Sequence, residues 1–205
     1  MKGKIIEAVL IVVIAAGLLL GTQVNSEASE LSDKLIRLHV VAASDDAEDQ
    51  KLKLMVRDSV LEVLEPILCG VADREGALDI VTTNEDLIVN SANCVLSDAG
   101  CDDRVRVSLC REKFPTTEYD SFSLPAGEYM SLRIKIGEGK GHNWWCVVFP
   151  PVCTAGALDE KSAAAMGLTS EEFKLIVSEE DGYVIKFRIM ELIAELKSLF
   201  KYGTV

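Results

Sequence analysis

The chain has 205 residues, of which 21 are basic and 33 acidic, so its formal net charge is −12 at pH 7. This excess of negative charge argues against a nucleic-acid-binding protein, because such proteins neutralise phosphates with lysine and arginine. Hydrophobic residues make up 49% and charged residues 26% of the chain, which indicates a folded globular domain and excludes an intrinsically disordered chain.

Residues 1–26 differ in composition from the rest of the chain. Lys2 and Lys4 form a short basic start, residues 5–20 are apolar except for one glutamate, and a polar stretch follows. This order is typical of a secretory signal peptide and predicts export, with cleavage shortly after residue 26. An uncleaved membrane anchor is the alternative, although the apolar run is short against the ~20 residues that span a bilayer.

The first elements after this leader are predicted to be a strand and two helices. Residues Lys34–Val41 alternate in polarity, which predicts a β-strand. Its apolar positions are Ile36, Leu38 and Val40, and its polar positions include Arg37 and His39. Asp45, with a glutamate three residues later, predicts the capped start of a helix whose apolar stripe continues to Ile67. A second helix is predicted from about Asp73 to Asp98.

The middle of the chain changes to the period of β-strands. Alternation over Arg104–Leu109 and Tyr129–Ile136 predicts two strands, and the apolar run Trp144–Phe149 predicts a buried strand that a double proline ends. Shorter helices are expected beyond this point, with Met190–Phe200 as the closing helix. Helices that flank a mostly antiparallel sheet give an α+β fold, in one domain over residues 34–200.

No catalytic or cofactor motif is evident. The glycine-rich segment 137–141 could suggest a phosphate-binding loop, but such loops lead into a helix, whereas a strand follows here and Glu138 would repel phosphate. The chain has only two histidines, and neither forms a pair with zinc-like spacing, so we expect no metal and no cofactor.

The cysteines leave two interpretations open. His142 lies four residues before Cys146, and a Cys–His pair can form a thiolate nucleophile, so an exported cysteine hydrolase acting on cell wall or peptide is the alternative function. However, Cys146 lies in an apolar run where a thiol is unreactive. In an exported protein we expect Cys146 to form a disulfide with Cys153. The other four cysteines, Cys69, Cys94, Cys101 and Cys110, allow three connectivities.

Both tryptophans of the chain fall in the segment Gly141–Trp145. A core strand and a partner-binding surface are both compatible with this composition, because tryptophan serves in either. On a strand, Trp144 and Trp145 face opposite ways, so one is expected in the core and the other at the surface. His142 and Asn143 would supply hydrogen bonds at the rim of such a surface.

Two longer segments carry a recognisable pattern. The amino-terminal one is Ile36–Asp45, followed by Asp49-Gln50, Leu52-Lys53 and Val56–Asp58. The central one comprises Pro125–Tyr129, Leu132–Ile134, Ile136–Gly139, Gly141–Cys146, Phe149–Pro151 and Cys153, and Tyr183–Glu191 matches a third motif. In these motifs and their order the chain resembles the stage II sporulation protein R family. Ala43 departs from the family pattern, in which a polar residue is expected.

The resemblance implies a signalling protein of endospore-forming bacteria, made in the forespore and exported into the space between two apposed membranes. There it would activate a mother-cell membrane aspartic protease, which cleaves the precursor of an early mother-cell sigma factor. The chain would be a ligand rather than an enzyme, with no nucleic acid or small-molecule substrate. The candidate partner-binding residues are His142, Asn143, Trp144, Trp145, Arg37 and His39.

Overall fold

The computed structural model describes residues 29–119, 122–150, 164, 168–170 and 172–173. The predicted leader and closing helix lie outside these residues. In chain order the elements are β1 (Ile36–Val41), α1 (Ala47–Leu68), α2 (Arg74–Thr83), α3 (Glu85–Asp98), β2 (Val105–Phe114), β3 (Thr117–Glu118), β4 (Ser123–Leu124), β5 (Gly127–Ile136) and β6 (Asn143–Phe149). None of the helices in the described part of the chain combines the length and hydropathy that a membrane crossing requires.

Four strands form the central sheet, in the order β2-β5-β1-β6. The pairs β2–β5 and β1–β6 are antiparallel, whereas the central pair β1–β5 is parallel. The predicted α+β fold with a mostly antiparallel sheet is therefore confirmed. The parallel pair arises because the three helices and β2 lie between β1 and β5 in sequence, and a connection of this length allows parallel pairing.

One face of the sheet is covered by the helices and forms the helix-side core. The strands contribute the inward residues of their alternating pattern, among them Leu38, Val40, Leu132 and Ile134. Helix α1 contributes Val56, Val60, Leu64 and Leu68, which recur at the three- and four-residue spacing of one helix face. Each fully buried side chain of this kind stabilises the fold by about 1.5–3 kcal/mol relative to an exposed one.

The opposite face of the sheet, called the second face below, is covered over only part of its area. A second apolar cluster lies there and consists of Leu31, Leu35, Phe114, Phe122, Leu124, Tyr129, Val147 and Leu168. The two-stranded β3–β4 ribbon contributes to this cluster through Leu124. Arg106 and Ser108 on β2 remain exposed, so the cluster leaves one end of the second face open.

Two details of the helices differ from the sequence prediction. The sequence predicts Asp45 as the cap of helix α1, but the cap residue is Asp46, whose side chain forms no capping hydrogen bond. The Asp45 carboxylate instead accepts a hydrogen bond from the backbone N–H of His142 at 2.7 Å. The single helix predicted over residues 73–98 is two helices that meet at Asn84. The Asn84 side chain donates to the carbonyl of Ile80 at 2.8 Å, and this competition with the backbone ladder favours a break.

Candidate functional site

The candidate site begins where two loops meet at one end of the sheet. The β1–α1 loop and the β5–β6 turn are distant in sequence, yet the backbone N–H groups of Lys140 and Gly141 donate to the carbonyls of Ala43 and Ala42 at 3.1 and 3.0 Å. These loops belong to the amino-terminal and central motifs that the sequence singled out. The two motifs therefore build one structural unit.

Gly141 allows this close approach. A Cβ atom at this position would lie 2.1 Å from the carbonyl oxygen of Ser44, so no larger residue fits without moving the backbone. Gly141 therefore allows the β5–β6 turn to pack against the β1–α1 loop.

Helix α1 holds both loops in place. The Lys53 ammonium, on a side chain that is almost fully buried, donates to Gln50 Oε1 at 2.6 Å and to the carbonyl of His142 at 3.2 Å. Burial lowers the pKa of Lys53, while the nearby Asp45 carboxylate opposes this effect. Gln50 in turn donates to the carbonyl of Ser44 at 2.8 Å. These contacts tie the β5–β6 turn and the β1–α1 loop to the first turns of one helix.

This arrangement fixes the start of the edge strand β6, which presents the two tryptophans to opposite faces. Trp144 lies on the helix side and is 36% exposed, and the guanidinium of Arg57 lies 4.4 Å from the centre of its ring. Trp145 lies on the second face, partly buried, with its ring 6.1 Å from that of His39 and 6.4 Å from that of Phe114. Trp144 is therefore the more accessible of the two.

Beside Trp145, His39 joins three strands through polar contacts. Its Nδ1 lies 3.0 Å from Glu112 Oε2 and its Nε2 lies 2.8 Å from Asn143 Oδ1, while Arg133 forms an ion pair with Glu112 at 3.2 Å. Burial raises the pKa of Glu112, but the neighbouring Ser131 hydroxyl, His39 and Arg133 outweigh burial and hold this pKa below its usual value. His39 and Asn143, two of the candidate partner-binding residues, are therefore in contact with each other.

Arg37 belongs to the interior rather than to the surface. It is fully buried, with its guanidinium 4.1 Å from the ring centre of Phe114 and 5.1 Å from that of Tyr129. One of its terminal nitrogens donates to Thr117 Oγ1 at 2.9 Å and to the Tyr119 hydroxyl at 2.8 Å. The structure therefore gives Arg37 a positioning role within the second cluster and not a contact role.

The contacts of His142 and Cys146 differ from those of a catalytic pair. His142 has a side chain that is 77% exposed and contacts Asp45, whereas Cys146 is buried in the helix-side core. Cys153 lies outside the described residues, so the pairing of these two cysteines stays a prediction. The other four cysteines, Cys69, Cys94, Cys101 and Cys110, are free. No group of three metal-ligating side chains occurs among the described residues.

The sequence did not reveal three residues of this region. Arg57 and Lys53 lie in the amino-terminal motif, but no periodicity predicts that one stacks on Trp144 and that the other reaches the β5–β6 turn. Glu112 reaches His39 from β2, across the intervening strand β5, and only the strand order shows this proximity. At the start of β6 the arrangement places the exposed ring of Trp144 beside the guanidinium of Arg57.

Comparisons with known proteins match the segments that contain the two motifs. The family model described as stage II sporulation protein R matches residues 32–159. A curated Stage II sporulation protein R from Bacillus subtilis (strain 168) is 29% identical over 227 residues, covering 97% of this chain and 100% of that protein. No solved structure gives a significant match. The matched residues include both motifs that meet at the candidate site, and the chain belongs to the stage II sporulation protein R family.

Proposed function

We propose that this chain is a secreted signalling protein that activates a mother-cell membrane aspartic protease and thereby triggers processing of an early mother-cell sigma factor precursor. Membership of the sporulation family supports the biological setting. The observation that carries a binding role is the exposed Trp144, stacked on Arg57 at the start of an edge strand.

These residue types suit a protein interface. Tryptophan and arginine are enriched among the residues that dominate binding energy, because they offer a large contact area that can be desolvated. The loops beside Trp144 are already held by Lys53 and by backbone hydrogen bonds, so little ordering entropy is lost when a partner binds. His142 and Asn143 lie next to Trp144 in sequence and are both exposed, so they supply a polar rim.

The same geometry supports the role of a ligand rather than that of a cysteine hydrolase. A cysteine hydrolase would need Cys146 accessible as a thiolate with His142 as its base. Cys146 instead packs beneath the helices, and the His142 imidazole contacts Asp45. The partner protease would supply the chemistry, and this chain would supply the contact surface.

The proposed location is the space between the forespore and mother-cell membranes. The basic, apolar and polar order of residues 1–26 supports export. An oxidising compartment also suits the proposed Cys146–Cys153 disulfide. Peptide mapping of the exported protein without reduction tests this pairing, and two free thiols would contradict it.

Co-expression in a non-sporulating host tests the function directly. Cells would produce the protease, the sigma factor precursor and this chain, and precursor cleavage would be scored. We expect cleavage only when the full chain with its leader is present. A chain that lacks residues 1–26 is the matched control and is expected not to signal across the membrane. Equal cleavage with and without this chain would contradict the proposal.

A further inference from the structure

We propose that the open end of the second face docks an acidic segment of the protein partner. The surface is defined by Arg106, Ser108, Arg133 and Lys135 and is called the basic half-face below. This inference rests on the proposed function, because it assigns to the same partner a second binding surface that is separate from Trp144.

The strand register brings these side chains together. Arg106 pairs with Lys135 and Ser108 with Arg133 in the β2–β5 ladder, and Arg133 is level with His39 on β1. Their neighbours in each strand, such as Val107 and Ile134, point into the helix-side core. Because side chains alternate along a strand, the three cations lie on the second face. Arg106 and Ser108 are exposed, and Arg133 and Lys135 are half-buried.

Arg106 and Lys135 are unfavourable neighbours for each other. Like charges that are directly opposite in an antiparallel pair destabilise the sheet. Neither forms an ion pair with any residue in the described part of the chain. Arg106 donates to the carbonyl of Gly137, and the stem of Lys135 lies against Gly139, so both side chains are held in this position. A fixed like-charge pair that has no ion-pair partner among the described residues is an arrangement that an external anion would stabilise.

The charge distribution of the chain favours approach of an acidic group at this surface over the helix layer. The segment 47–98, which forms the helix layer, has eleven acidic and four basic side chains. On the second face, β2 and β5 present three basic side chains and one acidic one, Glu112, which forms an ion pair with Arg133. An acidic peptide is therefore repelled by the helix layer and attracted to the opposite side of the sheet.

A protein segment fits this surface better than a lipid bilayer does. Lipid-binding patches commonly present four to eight clustered cations, and this surface has three. The net charge of −12 also repels an extended anionic membrane, while a short acidic segment carries too little charge for that repulsion to dominate.

The test compares Arg106→Glu with Lys51→Glu, which makes the same charge change at an exposed position of α1. In the co-expression assay we expect Arg106→Glu to lower cleavage about tenfold, because it places an anion where the acidic segment docks. Lys51→Glu should signal like the unchanged protein. Arg106→Glu should also melt at the same or a higher temperature, because it replaces a like-charge pair with an attractive one. Normal signalling by Arg106→Glu, or an equal loss with Lys51→Glu, would overturn the inference.

Two binding measurements separate this inference from the proposed function. Synthetic peptides that cover the extracytoplasmic segments of the protease are titrated into the purified protein at low and high salt. We expect an acidic peptide to bind, more weakly at high salt and more weakly to Arg106→Glu. The absence of any such binding overturns the docking surface even if the unchanged protein triggers cleavage. The docking surface would also be overturned, in favour of a lipid-binding surface, if the protein sedimented with phosphatidylglycerol vesicles and Arg106→Glu abolished this sedimentation.

Discussion

The two faces of the central sheet bury their side chains in different ways. The helix side is closed by α1, α2 and α3 and consists mostly of aliphatic side chains at regular intervals. The second face is closed in part by aromatic rings that surround the buried cation of Arg37, and its other end is open. The comparison teaches that a regular apolar pattern defines the stable scaffold, while the proposed recognition features lie where that pattern ends, at Trp144 on the helix side and at the basic half-face on the second face.

The second face also contains polar groups whose burial needs specific partners. Burial raises the pKa values of Tyr119 and Tyr129, since it disfavours their ionised forms. Arg37 donates to the Tyr119 hydroxyl and lies over the Tyr129 ring, whereas its Nε and Nη1 atoms are buried without a hydrogen-bond partner among the described residues. The following changes test whether this cluster is as important for folding as the aliphatic core.

Phe114→Ala is expected to have the largest effect on stability. Phe114 contacts Arg37, Tyr129 and Trp145, so truncation removes a buried ring and leaves a cavity, at a cost of about 3–5 kcal/mol. Leu38→Ala on the helix side should cost about 2–5 kcal/mol and is the reference. The measurement is chemical denaturation of each purified variant. A loss below about 1 kcal/mol for Phe114→Ala would mean that the second cluster is not part of the stable core.

Substitutions of Arg37 should have the next largest effect on stability, and two of them distinguish the contribution of side-chain volume from that of charge. Arg37→Ala removes a fully buried side chain and should lower the free energy of unfolding by about 3 kcal/mol. Arg37→Met keeps most of the volume without the charge, and such replacements are often close to neutral, so we expect a change within about 1 kcal/mol. If both variants lose the same stability in denaturation, the charge itself and not packing holds the cluster together.

Glu112→Gln should have the smallest effect, confined to acidic pH. The pKa of Glu112 lies below its usual value in the folded protein, so its carboxylate contributes stability above the unfolded pKa, and that contribution disappears as pH falls through the folded pKa. Thermal melting from pH 7 to pH 3 should therefore show a smaller fall for Glu112→Gln than for the unchanged protein. Glu118→Gln, at an exposed position of β3, should leave the pH dependence unchanged. Parallel curves for all three proteins would contradict this account of Glu112.

The sequence predicted the helix-side core because the apolar period of a strand or a helix depends only on residues that are close in sequence. Alternation placed Leu38 and Val40 inward, and it also placed Trp144 and Trp145 on opposite faces. The same alternation assigned Arg37 to the polar side of β1 but not to the interior. Its burial depends on Phe114 and on the β3–β4 ribbon, far away in the chain, and a single-strand pattern contains no information about such contacts.

The sequence identified some residues of the candidate site but not how they are assembled. The motifs identified Asp45 and the β5–β6 turn, yet Asp45 was expected to cap α1 and instead bonds to His142. Which of the two tryptophans is exposed depends on what covers each face of β6, and this requires the strand order. The parallel pairing of β1 with β5 likewise follows from topology rather than from the period of either strand.

Trp144→Ala tests the central claim most directly, scored by precursor cleavage in the co-expression assay beside the melting of the purified protein. Leu87→Ala, at an exposed apolar position of α3, is the matched control. We expect Trp144→Ala to fold with less than about 1 kcal/mol lost and to lower cleavage at least about tenfold, as loss of an interface anchor does. Leu87→Ala should preserve both properties. Normal cleavage by a well-folded Trp144→Ala protein would contradict the assignment of the start of β6 as the surface that binds the protease.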